Sequence, residues 1–205
     1  MGLFNKSMSA AELVTTKGGD EGLTSDYSGN RVKKYSERME LIGSLDELNS
    51  QIGFLRSLIV EEDPLDVLGT YKNDLIVMLR TVQVTIMDIS SLVATDKDSE
   101  LFGSLRSVTE DNVLELEKWN NEIDCKIESA FIVPGDVSCE NEDTGSWITY
   151  FDVVRAKSRQ CERQFFKFLN ESKSSVFHLL PSSKYLNRLS DYLFIEARNL
   201  EQNGV

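Results

Sequence analysis

The chain has a single histidine, His178, and only three cysteines, Cys125, Cys139 and Cys161, in 205 residues. Neither set has the paired spacing of a zinc site, and an odd cysteine count gives no closed disulfide framework. The sequence therefore points to a reducing compartment and to no resident metal. His178 has no second ligand near it in sequence and reads as an ordinary packed or surface histidine. Basic residues are also few: 22 Lys and Arg against 34 Asp and Glu leave a net charge of −12. Neutralising a phosphodiester backbone requires a net basic face, so nucleic acid is excluded as a partner. No apolar run approaches a membrane span, because the most apolar stretch is interrupted by Lys72, Asp74 and Arg80. The N-terminus MGLFNKSMSAAEL has neither a signal-peptide core nor an Arg-rich presequence of the usual length, and Lys6 stands where a myristoylation motif needs Ser or Thr. A cytoplasmic location is expected, with a mitochondrial one, reached by a very short leader, as the alternative. Alternation of apolar and polar residues with period two is absent over any useful length, which argues against a sheet-built fold.

The periodicity that is present is helical. From Ser36, a reasonable N-cap, to about Val60, the residues Ile42, Leu45, Leu48, Ile52, Leu55 and Ile59 are spaced by threes and fours. After Asp63-Pro64, a heptad-like seam runs through Leu68, Tyr71, Leu75, Leu79, Val82, Ile86, Ile89 and Val93. Val113, Leu116, Trp119 and Ile123 mark a third helix. Ile148, Phe151, Val154, Cys161, Phe165 and Phe168 mark a fourth, Trp147 to Asn170, with Ser158 interrupting the row. Leu186, Leu189, Leu193 and Ala197 mark a last helix after Pro181. The expected fold is all-α, an up-and-down bundle of five helices over residues 36–205, preceded by a flexible segment over 1–35.

Two stretches carry chemistry. On the fourth helix Arg155, Arg159 and Arg163 recur every four residues, so they stack along one flank, with Glu162 beside them. Three guanidiniums in a row repel one another unless an anion or acidic partners sit among them, and each offers a planar fork suited to phosphate or carboxylate. A structural salt-bridge helix has the same spacing. The second stretch, TTKGGDEGLTSDYSGNR over residues 15–31, holds four of the twelve glycines together with several hydroxyls. Such a composition allows backbone N–H groups to turn toward an anion, although its spacing is not that of a P-loop and a mobile terminus has the same composition.

Five motifs, TTKGGDEGLTS, GSLDELNSQIGF, FIVPG, RAKSRQCER and YLNRLSDYLF, occur in this order between Thr16 and Arg198. In them the chain resembles the PduO-type ATP:cob(I)alamin adenosyltransferases. The resemblance implies a ferritin-like, cobalamin adenosyltransferase-like five-helix bundle. It also implies a homotrimer with ATP held between subunits, and transfer of the 5′-deoxyadenosyl group of ATP to the cobalt of reduced cobalamin with release of triphosphate. Mg²⁺ would share the phosphate charge, and a separate reductase would supply the electron. Residue by residue, it places the triphosphate against Thr16, Lys17, Gly18 and Gly19, with Thr24, Ser25 and Lys34 completing the clamp. Arg159, Arg163 and Asn187 would meet the nucleotide from the bundle. Asp46 and Arg155 would form an ion pair near the corrin, and Phe131 would block the lower face of cobalt.

The sequence departs from the family pattern mostly on the corrin side. Asp136 follows Gly135 where a second glycine is usual, and the loop GDVSCENEDTG carries an acidic insertion. Asp152 stands where the family has a histidine, Gly18 replaces a threonine, and Gln160 replaces an arginine. These departures leave a second expectation, an ATP-binding trimeric bundle without adenosyl transfer.

Overall fold

A computed structural model describes residue 15 and residues 17–61, 68–127, 133–134, 146–172 and 178–203. Its helices are α1 (Glu37–Glu61), α2 (Thr70–Val93), α3 (Glu110–Glu122), α4 (Ser146–Glu171) and α5 (Leu180–Gln202), with one 3-10 turn at Phe102–Ser104. The five-helix bundle read from periodicity is the fold. Each helix turns its apolar stripe inward: Leu41, Leu45, Leu48, Ile52, Leu55 and Ile59 of α1 are fully buried, with Leu41 taking the core position expected for Ile42. On α2 the strict four-three alternation of Leu75, Leu79, Val82, Ile86, Ile89 and Val93 keeps every one of these residues in the core. Each such side chain contributes on the order of 1.5–3 kcal/mol by leaving water.

The expectation that no stretch approaches membrane-spanning composition needs correction for α2, which contains a window of mean hydropathy 1.5 and is long enough to span. Its apolar seam is buried against the other helices, so the composition is that of a core helix.

Polar contacts set the register: α4 runs antiparallel to α1 and to α5, while α3 runs parallel to α5. Between α1 and α4, Lys157 Nζ donates to Glu47 and Lys167 Nζ to Glu37, while the buried Cys161 thiol donates to the Ser44 carbonyl at 3.2 Å. Burial pushes the Cys161 thiol up to about 12, so it remains protonated. Between α4 and α5, Ser158, the interruption in the apolar row, is fully buried and donates its hydroxyl to the Leu186 carbonyl at 2.9 Å. Its polarity is thus satisfied inside the core. Arg188 Nε of α5 donates to Glu117 of α3 at 2.6 Å. The start of α3 is fixed by Thr109, whose backbone N–H donates to the Asn112 side chain at 3.0 Å in a capping box. Pro181 lies in the first turn of α5, where its missing N–H costs no helical bond.

Ahead of the bundle, β1 (Leu23–Ser25) and β2 (Arg31–Lys33) pair antiparallel, Thr24 opposite Val32. Strands of three residues are too short to register as alternation. The hairpin is docked on the bundle by one buried carboxylate: Asp26 accepts from the Asn30 backbone N–H at 2.8 Å and from Arg38 Nη1 at 3.0 Å. Arg38 Nη2 continues to Asp96 at 2.7 Å, and the Tyr27 N–H donates to the Ala94 carbonyl at 2.9 Å, past the end of α2.

Candidate functional site

Arg155, Arg159 and Arg163 follow one another by single turns of α4, Arg155 half-buried and the other two exposed. Arg163 Nη1 donates to the Arg159 carbonyl at 3.1 Å. Neither Arg159 nor Arg163 forms an ion pair among the described residues. Arg155 Nε donates to Asp152 Oδ1 at 2.9 Å, and its guanidinium carbon lies 5.8 Å from the Phe194 ring centroid. Arg155 and Arg159 open, with Arg188 of α5, onto a cavity of about 880 Å³ walled by α3, α4 and α5. That volume suits a drug-sized or larger ligand. Its lining is mixed: the three guanidiniums, the carboxylates Glu117 and Asp191, and the apolar side chains Phe194, Ile195 and Ile127.

Acidic groups hold Arg155 and Arg188, and two of them, Glu117 and Asp191, line the cavity as well. Glu117 anchors Arg188, which also donates through Nη1 to Asn187 Oδ1 at 2.6 Å. Asn187 Nδ2 in turn donates to Glu162 Oε1 at 2.9 Å, so this amide is oriented from both sides. Burial pushes the Asp191 carboxyl up, while Arg188 and Arg159 pull it down.

The N-terminal segment forms a second cluster. The Lys34 N–H donates to the Gly22 carbonyl at 3.0 Å and Arg31 Nη2 to the Gly18 carbonyl at 2.5 Å, which folds residues 17–22 back over the hairpin. A Cβ on Gly19 would stand 2.9 Å from Lys34 Nζ, so the absent side chain is what lets this ammonium approach the loop. Lys17 has φ 56°, a left-handed conformation uncommon for a side chain of this kind. Thr24 is half-buried and Ser25 exposed. Thr16 and Phe131 lie outside the described residues.

The structure thus brings Arg155, Arg159 and Asn187 into one neighbourhood, with Arg163 a turn further along α4. It gathers Lys17, Gly18, Gly19, Thr24, Ser25 and Lys34 into another. No residue of the second group lines the 880 Å³ cavity of the same chain. Asp46 is exposed on α1, and within one chain Arg155 pairs with Asp152 and not with Asp46. Sequence reasoning missed the carboxylates that hold the arginines, Asp152 and Glu117, and the Asp26–Arg38–Asp96 network under the hairpin. For Asp152 a signal existed in its spacing of three residues before Arg155 on one helix. The partner of Asp26 is distant in sequence and left none.

The sequence profile of the cobalamin adenosyltransferase family matches residues 14–200. The chain is 31% identical over 200 residues to the corrinoid adenosyltransferase MMAB of Mus musculus, covering 94% of this chain and 75% of that protein. It is 32% identical over 191 residues to the corrinoid adenosyltransferase of Bacillus subtilis, covering 89% and 83%. Among solved structures it resembles a variant PduO-type ATP:corrinoid adenosyltransferase from Lactobacillus reuteri complexed with cobalamin and ATP. The TM-score there is 0.73 at 25% identity, over 93% of this chain and 91% of that one.

Proposed function

This chain belongs to the cobalamin adenosyltransferase family, and from that membership we propose that it transfers the 5′-deoxyadenosyl group of ATP to the cobalt of cob(I)alamin, with release of triphosphate. The observation that carries the proposal is a cavity of about 880 Å³ whose lining combines Arg155, Arg159 and Arg188 with the apolar side chains of Phe194, Ile195 and Ile127. A polyanion and a large macrocycle with an apolar face both find complementary surface there.

The reaction asks little proton chemistry of the protein. Co(I) attacks C5′ of ATP; the Co–C bond forms, the C5′–O bond breaks, and its electron pair leaves on the triphosphate. No proton moves in this step, so no general base is needed. The protein's task is to align C5′ with cobalt and to stabilise the departing negative charge. Arg159 and Arg163 on α4, and Lys17 and Lys34 beside the glycine loop, are the cations assigned to the phosphates, with Asn187 orienting the nucleotide. No three metal-ligating side chains cluster among the described residues. Mg²⁺ bound with the nucleotide would share the charge of the phosphates. Phe131 is assigned to the lower face of cobalt, where an apolar group in place of a ligand favours the lower coordination number and eases reduction of Co(II). The reducing electron comes from a separate reductase.

The glycine loop and the arginine cavity are separate half-sites on one chain, and Asp46 and Arg155 are each presented without the other. A homotrimer in which the loop of one copy closes the cavity of the next supplies both contacts. Anaerobic incubation with ATP, Mg²⁺ and chemically reduced cobalamin, followed by the absorbance change of Co–C bond formation, tests the activity directly. Binding of MgATP without any such change would leave an ATP-binding bundle and remove the transfer reaction.

A further inference from the structure

Asp152 is 3% exposed and uses both carboxylate oxygens: Oδ1 accepts from Arg155 Nε at 2.9 Å and Oδ2 from Arg198 Nη2 at 2.8 Å. Arg198 is itself buried, and the same Nη2 also donates to Glu201 Oε1 at 2.7 Å. Both guanidiniums lie over one ring, Arg198 at 5.4 Å and Arg155 at 5.8 Å from the Phe194 centroid. Two cations gathered on one ring and one carboxylate repel each other, the more so as Arg198 is buried. The carboxylate between them removes that repulsion, and without it the more exposed Arg155 is the one able to swing away.

The point of attachment matters as much as the charge. A cross-link between α4 and α5 needs only the Asp152–Arg198 pair. Arg155 is attached in addition, and through Nε, the inner nitrogen. That contact fixes the plane of the guanidinium and leaves its two terminal nitrogens without an ion pair among the described residues, on a side chain that lines the cavity. An arginine held this way has less conformational freedom to lose when it engages a ligand or a carboxylate from outside.

We propose that Asp152, locked in place by Arg198, is the positioning residue for Arg155, holding its terminal nitrogens ready to engage the corrinoid in the cavity that Arg155 lines. The assignment rests on the adenosyltransferase activity proposed above. It gives the buried carboxylate one turn before Arg155 a part in corrinoid binding that is separate from nucleotide binding.

The test is anaerobic steady-state kinetics on the full chain with chemically reduced cobalamin, varying corrinoid and ATP in turn, with MgATP affinity measured by calorimetry. Asp152→Asn should lower kcat/KM for the corrinoid by about ten- to a hundredfold, the worth of one charge-assisted hydrogen bond, and leave the MgATP dissociation constant within about twofold. Added to Arg155→Ala, the same substitution should cost nothing further, because it acts through Arg155. Loss of corrinoid and nucleotide binding together, an unchanged Asp152→Asn enzyme, or additive effects with Arg155→Ala would each overturn the proposal. Arg198→Lys, which keeps the charge and loses the planar fork, should show the same split and replaces Asp152→Asn if that variant does not melt cooperatively. If neither variant folds, the cluster is structural and the proposal fails. Wild-type protein that makes no adenosylcobalamin would overturn the activity, and the proposal with it; an active wild type with an unaffected Asp152→Asn would overturn the proposal alone.

Discussion

At the scale of single residues the bundle contains a buried carboxyl that the reaction does not use. Glu196 of α5 is fully buried, accepts from the Tyr71 hydroxyl at 2.7 and 2.9 Å, and has no cation paired with it among the described residues. Burial pushes it up from 4.5 to about 7. The folded state therefore holds a proton that the unfolded chain releases near its ordinary value, so the contribution of Glu196 to stability is full below about pH 4.5, falls as pH rises, and is lost above about 7. The loss across that window is of order 3 kcal/mol. Glu196→Gln keeps an acceptor for Tyr71 and cannot ionise, so urea denaturation at pH 8 should find it more stable than wild type, with little difference at pH 5. An equal ΔG at the two pH values for wild type would remove the claim. On the reaction side, Arg159→Ala should weaken MgATP binding by roughly 1.5–3 kcal/mol, since it deletes a charge-assisted donor to phosphate. Phe131→Ala should leave MgATP binding nearly unchanged and slow the reduction of Co(II). Calorimetry and an anaerobic reduction assay separate the two.

At the scale of elements the informative piece is the N-terminal hairpin. Residues 26–33 are held by Asp26, Arg38 and Asp96, whereas residues 17–22 are held by contacts at Gly18 and Gly22 and contribute no apolar side chain to the core. A glycine-rich loop with so little buried surface opens easily. Hydrogen exchange should therefore show residues 17–22 weakly protected without nucleotide and slowed by MgATP, with 26–33 protected in both states. Asp26→Ala should erase the protection of 26–33 while leaving α1 to α5 cooperative. Unchanged exchange of 17–22 on adding MgATP would count against this loop as the phosphate clamp.

At the scale of the whole molecule, no residue of the glycine loop lines the arginine cavity of its own chain, and the homotrimer proposed above would bring the two together. Light scattering at micromolar concentration should give a mass three times the chain's 23.2 kDa. Asp46→Arg should weaken that assembly or, if the trimer persists, impair corrinoid use, because it places a cation against Arg155. A monomeric wild type that still catalyses transfer would require the loop and the cavity to meet within one chain.

The sequence by itself determined the bundle and the shared flank of Arg155, Arg159 and Arg163. Apolar residues at three- and four-residue spacing leave a helix only one way to bury its stripe, and guanidiniums four apart share a flank whatever they meet. Family motifs added Asp46, Phe131 and the loop lysines, which no periodicity marks. Tertiary structure alone decided which carboxylate holds which arginine. Asp152 was legible as an unusual residue, but its two partners come from different helices, Arg155 one turn away on α4 and Arg198 forty-six positions later on α5. Asp26 and Arg38 likewise meet Asp96 only because the hairpin is laid across the end of α2. Such pairs depend on the register between helices, which core packing sets. The charges then occupy positions that the apolar seams have already fixed.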